Sequence, residues 1–156
     1  MAENKLAIGI VSCSGENCLG GTISRLATRK VLEEKESGAV TICLPLYLAG
    51  GEEERSFAAE YPTIAVDGCS KCCAKRATEK YSGKVSASID LSEIIGKQTA
   101  ESEALSTKEI NDSHKEMIDK AAHEIRKKYD EILKANMGNG PKGDQPDGDC
   151  GCGCGC

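Results

Sequence analysis

The chain has no tryptophan, one phenylalanine and only two histidines. Its core is therefore expected to be built from Ile, Val, Leu and Ala, and stacking of bases on aromatic side chains is a poor basis for any binding. Positive charge is also in deficit: 20 Lys and Arg stand against 25 Asp and Glu, a formal net charge of −5. That leaves no basic footprint for a phosphate backbone, and nucleic acid is not an expected partner. Long apolar runs are missing as well. Met1 to Lys5 leads straight into a short apolar strand, with no h-region and no small-residue cleavage site. Neither secretion nor membrane insertion is expected, and the expected compartment is the cytoplasm. Neither a P-loop nor G-x-G-x-x-G follows the first strand, so nucleotide binding finds no support.

Cysteine is what the chain has in quantity, with 10 among 156 residues. Six lie in the body (Cys13, Cys18, Cys43, Cys69, Cys72, Cys73) and four close the chain (Cys150, Cys152, Cys154, Cys156). In a reducing compartment such density points to metal binding or thiol catalysis rather than to a disulfide framework. From Met137 onward the composition is too polar and too rich in Gly, Pro and Asp to join a core. The expected division is thus a domain over residues 1–136, then a linker and tail over 137–156.

Along the body the signals alternate. Leu6 to Ser12 reads as a strand buried on both faces, and Ile23, Leu26, Ala27, Lys30 and Val31 mark a helix that Gly38 stops. Ala39 to Leu44 reads as a second strand, Glu52 to Glu60 as a short helix, Thr63 to Val66 as a third strand, Cys73 to Tyr81 as a helix and Lys84 to Ile89 as a fourth strand. Alternation of this kind predicts an α/β fold: a small open parallel sheet with helices on both faces. A long C-terminal helix is expected over about Thr107 to Ala135, led by a capping box from Ser106 to Glu109 and laced by the pairs Glu116–Lys120 and Glu124–Lys128. It is expected to pack across the sheet or to serve a homodimer or protein partner. His114 and His123 fall on opposite sides of it, so they do not offer a mixed site.

In an open parallel sheet, ligands gather outside the carboxyl ends of the strands. Cys13, Cys43 and Cys69 each fall at or just past the end of one of the first three strands, and Cys73 follows Cys69 by four residues. Four thiols from three loops can converge there, and four thiolates suit tetrahedral zinc. The spacing is not that of a zinc ribbon, and Cys13 or Cys43 taken alone reads rather as a small buried apolar residue; three cysteines at three consecutive strand ends reverse that preference. The amides at the start of the first helix, with Lys71, Lys75 and Arg76, are expected to balance the charge of the thiolates. Asp67 is expected to accept backbone amides in the turn presenting Cys69, and Gly68 to permit a bend or a close backbone approach.

The segments Ser12-Cys13-Ser14-Gly15 with Gly20, Cys43-Leu44, and Asp67-Gly68-Cys69-Ser70-Lys71-Cys72-Cys73-Ala74-Lys75 resemble the DGC-domain family, named for its Asp-Gly-Cys motif. The resemblance covers roughly residues 5–97. It implies a zinc site of four cysteines, matching here to Cys13, Cys43, Cys69 and Cys73, and leaves Cys18 and Cys72 as accessory thiols. The family supplies a site and no reaction.

The tail Cys150-Gly151-Cys152-Gly153-Cys154-Gly155-Cys156 alternates thiols with glycines that let a backbone wrap an ion. Its donors suit Zn2+ and Cu(I), and As(III) is chemically reasonable. The linker from Met137 to Asp149 has a typical span of about 20 Å, enough in principle for exchange of an ion with the body site. Two other functions compete. One is a thiol redox or sulfur-transfer enzyme using Cys13 with Cys18 or Cys72 with Cys73, with Cys13 expected to have a lowered pKa near a helix N-terminus. Phosphatase chemistry is disfavoured, because a C-x5-R loop would need Arg where Leu19 stands. The other is an iron-sulfur carrier, since four cysteines can also hold a cluster.

Overall fold

The computed structural model describes residues 6–137. Strand β1 (Ile8–Ser12) leads to helix α1 (Leu19–Glu34) and strand β2 (Ala39–Val40). Three short helices follow, α2 (Leu46–Ala49), α3 (Glu52–Arg55) and α4 (Phe57–Glu60), before β3 (Thr63–Asp67) and helix α5 (Cys73–Tyr81). Strand β4 (Ala87–Asp90), helices α6 (Leu91–Ile95) and α7 (Lys97–Ala100), a 3-10 turn at Thr107–Glu109 and the long helix α8 (Asp112–Met137) complete the described chain. The four strands are all parallel in the order β2-β1-β3-β4. The α/β fold read from the alternating pattern is the one observed.

Every residue of β3 is buried, and so are the first four of β1, because both strands are covered on two sides. Ile8, Ile10, Ile64 and Val66 point to one face, where they meet Ile23, Ala27 and Val31 of α1, Leu91 of α6, and Ala121, Ala122, Ile125 and Tyr129 of α8. Val11 and Ala65 point to the other, toward Tyr47, Phe57 and Ala74 on α2, α4 and α5. The expectation of an aliphatic core needs correcting for this second face, which is centred on Tyr47 and Phe57. Gly9 makes room for it: a methyl group there would stand 2.7 Å from the Phe57 ring.

The second strand is shorter than expected. Past Val40 the ladder ends because the Thr41 hydroxyl donates to the Ile10 carbonyl at 2.7 Å, so a side chain takes the place of a backbone partner. Cys43 therefore sits three residues beyond the strand rather than near its end. The helix expected over Glu52 to Glu60 is interrupted at Ser56, whose hydroxyl donates back to the Glu53 carbonyl and competes with the helical ladder. An additional helical turn, α2, occupies the loop before it.

The long helix begins at Asp112, later than the Ser106 signal implied. Ser106 caps only the 3-10 turn, accepting from the Lys108 amide. The start of α8 is made by Asn111 and His114: the Asn111 side chain accepts from the His114 amide at 3.0 Å and His114 Nδ1 accepts from the Asn111 amide at 3.2 Å. This is a capping-box exchange with histidine in the role of glutamate. The apolar stripe of α8 is buried in the chain's own core. At its polar edge, Arg126 pairs with Glu34 at 2.8 Å and Lys35 with Asp130 at 3.5 Å. Within the helix Lys128 pairs with Glu131 rather than with Glu124.

Ile125, wholly buried between α1 and the sheet, is the residue through which the packing of α8 is best tested. Ile125→Ala is expected to cost about 3 kcal/mol through lost burial and the cavity left behind. Urea unfolding of the reduced protein measures this, and a cost under about 1 kcal/mol would mean that α8 is not part of the core.

Candidate thiolate site

With β1 central, β2 on one side and β3 on the other, the sheet has its topological switch point between β1 and β3. Helix α1 leaves β1 toward one face, α5 leaves β3 toward the other, and a crevice opens between the two loops. Cys13 follows β1 directly, Cys18 is the N-cap of α1, Cys69 follows Asp67-Gly68 at the end of β3, and Cys72 is the N-cap of α5. The placement at the strand ends read from the sequence holds for Cys13 and Cys69. Cys73 opens α5, while Cys43 lies farther along the loop after β2.

The two loops are pressed together through glycine. A methyl group on Gly20 would collide with the Gly68 carbonyl, one on Gly68 with the backbone of Gly20 and Gly21, and one on Gly15 with the backbone of Gly21. The close approach expected at Gly68 is thus present, and its partner is the first turn of α1. Gly15 also has φ +64°, where a side chain is strained regardless of space.

Cys13 is buried and its sulfur is well served. The Gly68 amide donates to it at 3.3 Å, and Ser24 Oγ lies at 3.4 Å. Ser24 spends its own proton on the Gly21 carbonyl at 2.8 Å, so the Cys13 S–H is the donor toward Ser24. It is Gly68 and the hydroxyl of Ser24, rather than the terminal amides of α1, that attend Cys13. Burial pushes the Cys13 thiol up, against the pull of Ser24 and Gly68, so the lowered pKa expected from the helix N-terminus is not found. Burial also raises Cys18, with the Gly21 amide and Lys71 opposing and the neighbouring Cys69 adding to the rise. Cys72 is raised by burial and then by the charges of Asp67 and Asp90. These shifts count against a thiol activated for catalysis by its surroundings at any of the three, and leave each to react only through the fraction ionised at the ambient pH.

Asp67 does accept backbone amides, but those of helix α5: Ala74 donates to one oxygen at 2.6 Å and Lys75 to the other at 3.1 Å. Burial pushes its carboxyl up while these two amides pull it down. By capping α5 from the end of β3, Asp67 fixes the intervening loop at both ends. Within that loop Cys72 takes φ 51°, the one left-handed non-glycine residue among those described. Such a conformation costs on the order of 1 kcal/mol and persists where the surroundings determine it. The stretch Cys69-Ser70-Lys71-Cys72 is also a C-x-x-C, a spacing visible in the sequence that placement at the strand ends alone does not bring out.

Cys43 and Cys73 are exposed, whereas Cys18, Cys69 and Cys72 are half-buried. Among the described residues, no three Cys, His, Asp or Glu side chains stand together as a ready ligand group. The donor chemistry suits a soft ion; the arrangement is open. His114 is occupied in capping and His123 is exposed on α8, so neither histidine adds to it. Cys150, Cys152, Cys154 and Cys156 lie outside the described residues. A separate open cleft, lined by Leu6, Lys35, Gly38, Tyr129, Leu133 and Met137, lies at the opposite edge of the sheet from the thiols.

Two outcomes check this account. Gly68→Ala forces backbone against backbone and is expected to cost about 2 kcal/mol or more, whereas Gly83→Ala, with its nearest neighbour at 3.4 Å, should stay within about 0.5 kcal/mol. Equal costs at the two positions would mean that the loops after β1 and β3 are not held in contact through Gly68. Secondly, raised thiols in the fold keep protons that the unfolded chain releases near pH 8.5. The stability they contribute is complete below that pH and lost as pH rises through the higher native values. Urea unfolding of reduced, metal-free protein between pH 7 and 10 should show this decline, with a shallower slope in Cys13→Ala.

The DGC-domain family model matches residues 9–128. That span takes in Cys13, the Asp67-Gly68-Cys69 turn, the rest of the crevice and most of α8. No curated protein and no solved structure matches the chain. By the extent of this match, which runs from β1 into the last helix, the chain belongs to the DGC-domain family.

Proposed function

We propose that this protein binds a soft metal ion through cysteine thiolates in the β1/β3 crevice, with zinc as the first ion to test. Cys13, Cys43, Cys69 and Cys73 are the proposed ligands, Cys18 and Cys72 stand beside them, and the four tail cysteines form a separate capture segment. The observation that supports this reading is the placement of five thiols on the two loops that flank the switch point of a parallel sheet, Cys13 and Cys18 after β1 and Cys69, Cys72 and Cys73 after β3, with Cys43 on the neighbouring loop after β2. Thiolate donors are what zinc and other soft ions prefer. The Gly68 amide already directed at the Cys13 sulfur is the kind of hydrogen bond that steadies a ligating thiolate.

Binding then has to alter the fold locally. The exposed Cys43 and Cys73 must be drawn toward the buried Cys13, and each ligating thiol must give up its proton. Because burial holds the Cys13 proton, uptake should strengthen steeply as pH rises. In this reading the ion is held or handled, and no substrate is turned over.

Elemental analysis of anaerobically purified protein tests the proposal. The full chain is expected to carry more zinc than a variant with all four tail cysteines changed to Ser, and that variant is expected to lose its remaining ion when Cys69→Ser is added. Undiminished zinc in the combined variant would refute the body site. Copper, arsenic, or iron with sulfide in place of zinc would keep the site and change its ion, and a brown colour would mark the cluster.

A further inference from the structure

The glycine contact brings together two thiols that the proposed ligand set does not use as a pair. Cys18 stands two residues before Gly20 and Cys69 directly after Gly68, and it is the backbone of Gly20 and Gly21 that lies against Gly68. Cys18 is held by the first turn of α1, whose Leu19 amide donates to the Ser102 carbonyl at 3.0 Å. Cys69 is held by a turn in which its carbonyl accepts from the Cys72 amide at 3.1 Å. Neither thiol can drift far from the other while the glycines stay in contact. Their proximity is also felt electrostatically, since Cys69 helps to push the Cys18 thiol up after burial has done so. Both are half-buried and so open to small thiols and disulfides, in contrast to the buried Cys13.

We propose that Cys18 and Cys69 are a redox pair that closes into a disulfide between the β1–α1 and β3–α5 loops, and that closing it removes Cys69 from the metal site. The oxidant is a low-molecular-weight disulfide. A thiolate of the pair attacks one of its sulfurs and releases one small thiol, and the second protein thiolate attacks the mixed disulfide and releases the other. The protein gives up two protons and two electrons, one S–S bond breaks and one forms, and the small disulfide leaves as two thiols. Alternative pairings are less well placed. The Cys13 S–H is buried and committed to Ser24, and Cys73 is exposed at the start of α5. The rival that matters is Cys69 with Cys72, the C-x-x-C arrangement.

The loss of metal on oxidation rests on the metal-binding reading above; the disulfide does not. The test treats the reduced, metal-free full chain with oxidised glutathione, blocks free thiols, and digests with trypsin and a glutamyl protease. Cleavage after Glu16, Arg25 and Lys71 puts Cys13, Cys18 and Cys69 on different peptides and leaves Cys72 with Cys73. The expected result is a Cys18–Cys69 linked peptide as the main product among the body cysteines. A dominant Cys69–Cys72 link, or six body thiols that all remain free, overturns the proposal. In zinc-loaded protein the same oxidant should release the body ion, and Cys18→Ser, which keeps a good N-cap, should slow that release on the order of tenfold. Zinc retained alongside the Cys18–Cys69 link overturns the coupling to the metal. A reduced chain that takes up no zinc yet forms the link refutes metal binding and leaves the redox pair standing.

Discussion

Backbone-to-backbone contact between the start of α1 and the Asp67-Gly68-Cys69 turn is the constraint on which the thiol edge depends. Gly20 and Gly21 meet Gly68 with no room for a side chain on either part, and Gly15 closes over Gly21 from the preceding loop. Two strands side by side in a sheet do not by themselves bring their following loops into contact, because the helices after β1 and β3 leave toward opposite faces. The glycines undo that divergence locally. They let the Gly68 amide reach the Cys13 sulfur and set Cys18 near Cys69.

The second fixed point is Asp67. Its carboxylate closes the first turn of α5 from the end of β3, so the segment between them is anchored at both ends and Cys72 is left in a left-handed conformation. A carboxylate buried this deeply opposes its own ionisation, and the two amides it receives are what offset that cost. The Asp-Gly-Cys motif thus has a division of labour: the aspartate anchors the helix, the glycine admits the neighbouring loop, and the cysteine faces the crevice.

Much of this was legible in the sequence, and what was not has identifiable physical causes. β1, β3 and α5 are marked by local signals strong enough to decide alone, and α5 spans Cys73–Tyr81 as read. β2 was overextended because Ile42 and Leu44 look like strand residues, while the ladder is ended by a tertiary event, the Thr41 hydroxyl reaching Ile10. The start of α8 was misplaced because Ser106 and Glu109 imitate a capping box that Asn111 and His114 form. The need for close approach at Gly68 could be inferred from Gly between Asp and Cys, but its partner 48 positions earlier could not. For Cys13, helix polarity predicts a lowered pKa and burial predicts a raised one; only the packed structure shows that burial dominates.

Helix α8 carries a geometric consequence for the thiol edge. Its last turns lie beside the end of α1 and the start of β2, where the Tyr129 hydroxyl donates to the Gly38 carbonyl at 2.9 Å. The chain therefore leaves the described domain at the amino edge of the sheet, with the thiols at the carboxyl edge. The 16 residues of α1 alone separate those edges by about 24 Å, so the last described turn of α8 and the thiol crevice stand at opposite ends of the domain, and one can be altered without touching the other.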